Sequence, residues 1–416
     1  MDAKTRPDDL QTSSPSGAPL WAIVLAAAAI AAIGMGLRQV MGLYMKPVTT
    51  ELGVGREAFA LSIAIANICW GLAAPVFGAV SDRFGTGRVV VFGASSTAIG
   101  ILLVRMATSD THLFIAGLFL GLGVAGAGVN ALVGAVGRSA APEHRSAAIA
   151  KLGMGSGIGI LVALPYTHLL MEQLGWKTSL LVLSATAALM LPMAFVVRGS
   201  AVVPKGTHPQ SLKEALSEAI RHPSFWLLNA GFFVCGFHVV FYGTHLPAFV
   251  ADQGLSNTVA VTALTVVGLG NLIGTYVAGQ WGRHFPKRIG LSLIYLGRAV
   301  VFLGFLFLPI TATTVIGLSA VLGLLWLSTV PLTSTLVATF FGPGWMTMLY
   351  GIVFLSHQMG SFLGVWLGGV IFDMMKNYDA MWWISVGLGV FAALIHWPIV
   401  EAPVRREAPA GREQAA

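Results

Sequence analysis

Arg38 lies about 17 residues into an unbroken apolar run that begins near residue 21, roughly 25 Å along a helix at 1.5 Å per residue. An ionisable side chain at that depth costs several kcal/mol unless it faces a wet cavity or a partner. A guanidinium matches a carboxylate through two parallel hydrogen bonds, so Arg38 is a candidate anchor for an organic anion. The rival reading has it snorkelling outward, toward the level of Lys46. His238, His245 and His357 lie in other apolar runs. Each imidazole offers either a proton carrier, which would make anion uptake electroneutral, or an interhelical hydrogen-bond donor. Gln358, Tyr44, Asn130, Asn271, Trp326 and Thr329 complete the candidate binding set with amide, hydroxyl and indole groups, and Asn67, Ser328 and Thr333 offer further donors beyond it. Arg298, mid-run further along the chain, is expected to be structural and to pair within its own half.

Enzyme chemistry finds no support. There is no G-x-x-x-x-G-K-[ST] loop for a nucleoside triphosphate, no H-E-x-x-H and no paired carboxylates within a run. Cys69 and Cys235 both lie in apolar runs without metal-type spacing and read as small apolar residues. No cofactor and no metal are expected, and any work done must draw on an ion or substrate gradient.

The elements that position these residues follow from composition. Of 416 residues, 56% are hydrophobic and 10% charged, with a mean hydropathy of +0.80. A chain of that balance takes the bilayer as its solvent. A spanning helix needs roughly 20 apolar residues, and twelve such runs occur: spans 1 to 6 near 21–45, 58–80, 89–108, 112–136, 147–171 and 177–197, and spans 7 to 12 near 225–250, 258–281, 289–308, 313–340, 347–372 and 381–400. Placing the N-terminus in the cytoplasm puts 17 of the 24 Lys and Arg residues on that side. The positive-inside rule then makes both termini cytoplasmic. No cleaved signal peptide is expected ahead of span 1, and no basic stripe interleaved with aromatics points to nucleic acid.

An internal repeat organises the runs. Gly42-Leu43-Tyr44-Met45 has its counterpart in Gly243-Thr244-His245-Leu246, an offset of 243 − 42 = 201. The same offset carries Gly78 to Gly279, Phe84 to Phe285, Gly159 to Gly360 and Glu172 to Asp373. Two halves of six spans follow, with the same orientation because six is even. The expected organisation is a tail 1–20, a first half 21–197, a linker 198–224, a second half 225–400 and a tail 401–416. Within the linker, Ser211 and Glu214 form an S-x-x-E capping box that should start a short amphipathic helix, either lying on the inner membrane face or serving as a plain connector. The offset pairs Arg38 with Val239 and Leu37 with His238, so Arg38 and His238 are expected to face each other across a central cavity. Gly153, Gly155, Gly157 and Gly159 in span 5, and Gly360, Gly364 and Gly368 in span 11, should form smooth faces against the opposite half, for sliding or for static packing.

The loop after span 2 reads Gly78-Ala-Val-Ser-Asp82-Arg83-Phe-Gly85-Thr-Gly87-Arg88 and resembles the cytoplasmic G-x-x-x-D-R-x-G signature of major facilitator transporters. The resemblance implies a gating role for Gly78, Asp82, Arg83, Gly85 and Arg88, with Gly78 admitting close helix approach. In the second half Arg283 stands at the acidic position, so that copy must gate through other contacts. Trp326-Leu-Ser-Thr-Val-Pro331 and Ser356-His357-Gln358-Met-Gly360-Ser-Phe-Leu-Gly364 look like the bacterial monocarboxylate-transporter-like branch, which includes oxalate:formate exchangers. That likeness implies an all-α membrane protein of twelve spans in two pseudo-symmetric halves, monomeric in a bacterial inner membrane, moving a small organic anion with protons or by exchange. It also implies basic side chains on spans 1 and 8. Arg38 fits the first, whereas span 8 carries only Asn271. Two rivals remain: efflux of amphipathic drugs, which would favour acidic residues mid-span, and a metabolite sensor that moves nothing, which would favour a large soluble output domain.

Overall fold

A computed structural model describes residues 18–140, 142–198, 211–342 and 346–404. The expectations for 1–17, 199–210 and 405–416, and those for the side chains of Asp82, Arg83 and Asn130, lie outside what is described. Among the described residues all regular structure is helical. Eleven stretches are long and apolar enough to cross a membrane. One of them, Lys151–Ala194, holds both span 5 and span 6, because Gly175 at φ 75° turns the chain in a conformation that costs a side-chain-bearing residue dearly. Twelve spans result.

Four of the described spans are interrupted, span 6 only at Leu189, ahead of Met190–Ala194. Span 1 runs as Leu20–Gln39, a tighter turn at Val40–Tyr44, and Met45–Leu52. Span 4 breaks at Gly128, between Asp110–Ala127 and Val129–Ser139. Its repeat partner, span 10, breaks between Ala312–Leu325 and Thr329–Phe341. The linker helix Leu212–Ile220 begins at the Ser211–Glu214 capping box, in which each side chain takes the other's backbone N–H. Those hydrogen bonds hold the exposed Glu214 carboxyl below its ordinary range.

The glycines show how the spans pack. Within the first half, span 1 lies on span 5, where a Cβ on Gly159 would run into the Ala32 carbonyl oxygen and one on Gly155 would sit 2.5 Å from that of Ala28. Within the second half, span 7 lies on span 11, and a Cβ on Gly360 would run into the Phe233 carbonyl oxygen. The sequence predicts that these glycines meet the opposite half; they instead bind each half together. Backbones can approach this closely only where side chains are missing, and lipid offers no competing apolar gain. Two of the interfaces between halves are span 2 (Arg56–Phe84) on span 11 (Met346–Met375) and span 5 on span 8 (Asn257–His284). Each places a large side chain against a glycine at repeat-related positions: Gln358 against Gly71, and Leu272 against Gly157. The 201-residue offset maps the two pairs onto each other with the roles exchanged.

Gly42 and Gly243, also partners by the repeat, touch directly, since a Cβ on Gly42 would meet the Gly243 carbonyl oxygen at 2.8 Å. Repeat-related residues in contact must lie at the pseudo-twofold axis. Spans 1 and 7 therefore cross there.

Candidate functional site

Beside that crossing lies a cavity. Span 1 lines it with Gly34, Leu37, Arg38 and Gln39, span 2 with Ile63, Ala66, Asn67 and Trp70, and span 7 with Val239, Val240, Gly243 and Thr244. The span 2 set falls at i, i+3, i+4 and i+7, one face of a helix.

Arg38 is half-buried and donates through Nη2 to Asn67 Oδ1 at 2.9 Å, with its guanidinium 5.1 Å from the centre of the Trp70 ring. No described carboxylate pairs with it. Asn67 is held in turn by donating Nδ2 to the Ile63 carbonyl at 2.8 Å. The Asn67 carbonyl oxygen accepts Gln358 Nε2 at 3.0 Å, which ties the second half to the first at the level of the arginine. Gln358 Oε1 pairs with His357 Nδ1 at 3.0 Å, and the His357 ring stacks on Phe354. Trp70, Arg38, Asn67, Gln358 and His357 thus make one continuous chain. Asn67 enters the sequence reading only as a further donor outside the binding set and Trp70 not at all, although their three-residue spacing on span 2 already puts them on one helix face.

Most of the remaining candidates lie elsewhere. His238 does not face Arg38. Its Nε2 bonds the Ser385 carbonyl of span 12 at 2.9 Å and its ring packs on Phe302 of span 9, inside the second half. Val239, the true repeat partner of Arg38, lines the cavity; one residue along a helix rotates a side chain by about 100°. Tyr44 hydrogen-bonds Ser179 at 2.8 Å within the first half. Asn271 accepts the Leu327 N–H at 3.0 Å, so it caps the break in span 10 and leaves the cavity wall. Thr329 is buried against Cys235 Sγ at 3.2 Å. Trp326 packs its ring on Tyr242 and gives its carbonyl to Arg298. His245 is buried between spans 7 and 11, away from the cavity.

Arg298 is fully buried and donates Nε and Nη2 to the Leu325 carbonyl at 3.1 and 2.8 Å, as well as Nη2 to that of Trp326. The carbonyls freed where the helix breaks carry the negative end of the dipole, which suits a cation. These contacts all lie within the second half.

At the end of the molecule bearing the linker, Gly78 has open space around it, and a Cβ there would meet nothing within 4 Å. It does not admit a close helix approach here; Gly87 does, with its Cβ position 2.7 Å from the Ala194 carbonyl oxygen. Gly85 turns the chain between spans 2 and 3 at φ 96°, and Arg88 is exposed. In the second half a carboxylate comes to this end from Glu401. It accepts the Arg288 N–H at 2.7 Å and pairs with Lys287 at 3.6 Å, while Arg283 stays exposed.

At the distal end the halves are locked together. Arg56, at the start of span 2, forms a two-pronged pair with Asp252 at the end of span 7 (2.6 and 2.8 Å) and donates to the Tyr378 hydroxyl at 2.9 Å. Lys46 reaches the same Asp252 at 3.3 Å. Asp373 on span 11 accepts the backbone N–H groups of Arg56 and Glu57 at 3.0 and 2.7 Å, capping span 2 from the opposite half. Sequence does not single out Arg56, because a basic residue just outside a span reads as an ordinary flank.

Comparison with known proteins gives a consistent picture. The profile of the Major Facilitator Superfamily matches residues 20–364. Monocarboxylate transporter 13 of Bos taurus is 25% identical over 417 residues, covering 94% of this chain and 93% of its own length. The oxalate:formate antiporter of Oxalobacter formigenes is 25% identical over 365 residues, 84% of each chain. Among solved structures, a bacterial homologue of the human lysosomal transporter Spinster superposes with a TM-score of 0.76 at 14% identity, over 91% of this chain and 96% of that one.

Proposed function

This chain belongs to the Major Facilitator Superfamily, and from that premise we propose that it carries a small organic anion of the monocarboxylate kind by alternating access, with protons or by exchange. As a member it is a multi-pass membrane transporter and not an enzyme. In our reading it works as a monomer in a bacterial inner membrane with both termini cytoplasmic, so the distal lock faces outward and is closed. The observation that carries the substrate reading is Arg38: the one cation among the described residues in the wall of a mostly apolar cavity, oriented by an amide and an indole and paired with no described carboxylate. Such a group gains most from a ligand that brings the missing negative charge. Relatives named for monocarboxylates and for oxalate and formate support the same class. His357 and Gln358 belong to the site through Asn67, whereas His238, Tyr44, Asn271 and Thr329 serve packing.

The test is uptake into proteoliposomes of a panel of short carboxylates, with and without an inward proton gradient. Wild type should concentrate at least one acid and Arg38→Ala should lose it, by roughly a hundredfold in kcat/KM if a charge-assisted pair of about 3 kcal/mol is removed. Unchanged carboxylate uptake in the variant would remove the anchor role, and transport of a cationic dye in place of any acid would favour drug efflux.

A further inference from the structure

His245 lies directly beneath the distal lock and shares a hydrogen-bond partner with it. Its Nε2 is 2.8 Å from the Val365 carbonyl oxygen of span 11, and its Nδ1 is 3.0 Å from the Tyr378 hydroxyl. A carbonyl can only accept, so Nε2 carries a proton. Arg56 Nη1 donates to the same Tyr378 oxygen, which leaves the hydroxyl proton free for one acceptor, His245 Nδ1. With neutral imidazole each contact along the line His245, Tyr378, Arg56, Asp252 sets a donor against an acceptor. The line is well packed as far as Arg56 and opens to the surface at Asp252: His245 and Tyr378 are 1% and 2% exposed, and the Arg56 guanidinium lies 3.6 Å from the centre of the Phe372 ring.

We propose that His245 is a proton-binding site that works the distal lock, its protonation releasing Tyr378 and Arg56 and so parting the two halves at that end. A proton on Nδ1 turns the acceptor into a donor. Tyr378 must then accept from two cations at once, and its own hydroxyl proton loses its place. The charged groups gathered here come from four elements: Lys46 on span 1, Arg56 and Glu57 on span 2, Asp252 on span 7 and Asp373 on span 11. Of these, Asp373 is engaged by the backbone of span 2 and Asp252 by Arg56 and Lys46, so neither carboxylate bonds the imidazole. Arg56, joined to the imidazole through one oxygen, is the cation that protonation sets against it. Acid on the distal side therefore favours the distally open form, and closure of the lock returns His245 to its neutral state. This role differs from substrate contact, since His245 does not line the Arg38 cavity.

The experiment reads the opening itself, without substrate. Spin labels are placed on cysteines at Thr108 and Thr313, exposed positions at the distal end of each half, in a chain with Cys69 and Cys235 changed to alanine. Pulsed dipolar distances are then measured in lipid nanodiscs from about pH 8 to about pH 5, the range in which histidine titrates. The wild-type background should gain a longer-distance population on acidification, by at most about tenfold per pH unit for one coupled proton. His245→Gln, which stays neutral, should abolish that dependence. So should Tyr378→Phe, which keeps the ring and removes only the shared hydroxyl; if His245→Gln does not fold, this variant decides alone. A wild-type distribution that ignores pH, or the same pH dependence in the folded variants, overturns the proposal. Because no anion is present, the result stands apart from the outcome of the carboxylate uptake assay.

Discussion

Arg38 and Asn67 act as a pair, the amide fixing where the guanidinium points. Asn67 is 2% exposed and engages both ends of its amide and its backbone carbonyl: Oδ1 for Arg38, Nδ2 for Ile63 and the carbonyl for Gln358. Asn67→Ala should leave Arg38 charged but free to turn, raising KM for the carried acid about five- to thirtyfold, the equivalent of about 1–2 kcal/mol, with the melting temperature less affected. Asn271→Ala should do the reverse, since its carbonyl caps the span 10 break at Leu327 and does not touch the cavity. Uptake kinetics set beside thermal unfolding in detergent separate the two, and an equal KM effect in both variants would contradict the assignment. From sequence the two asparagines look alike, each a polar group in an apolar run. The difference lies in which neighbouring helix each meets.

Helix contacts inside each half and between the halves obey different rules. The span 7 and span 11 contact depends on Gly236, Gly360 and Gly364, whose Cβ positions would all collide with carbonyl oxygens of the facing helix. Gly360→Ala should therefore drive these helices apart and cost about 1–3 kcal/mol or more, seen as a lower melting temperature. Gly351→Ala on the same span, where nothing lies within 4 Å, should melt like wild type. Spans of the right length were readable because a bilayer sets a length and the chain is apolar over it. The faces used by the glycines were not. Small residues record that something comes close, without recording which helix; Gly155, Gly159, Gly360 and Gly364 meet their own half, and Gly157 meets the other.

For the whole molecule, the two forms of an alternating carrier are separated by contacts such as the cap that Asp373 places on span 2. Loss of a helix cap costs about 1 kcal/mol. Asp373→Ala, which removes both acceptor oxygens, should thus enlarge the distally open population roughly fivefold. The rate at which a membrane-impermeant maleimide alkylates a cysteine at Val240, in the cavity wall, would report it; an unchanged rate would show that the cap does not hold the lock. The repeat partner of Asp373, Glu172, is engaged by His168 on its own helix at 3.3 Å, so the two interfaces between halves are not equivalent at this end.

The twelve apolar runs, the repeat at 201 residues, the gate signature and the charge within the first apolar run at Arg38 are all properties of the chain read in order. Hydrophobic length, composition and internal spacing are local quantities; they determined the fold class and singled out Arg38 as the cation of the proposed site. Rotation about a helix axis is not local. It put Val239 and not His238 opposite Arg38, brought Asn67 and Gln358 together from positions 291 residues apart, and placed His245 under a lock assembled from spans 2, 7 and 11 and the segment before span 12. Only the packed structure decides such meetings, because each depends on the angle at which two distant helices cross.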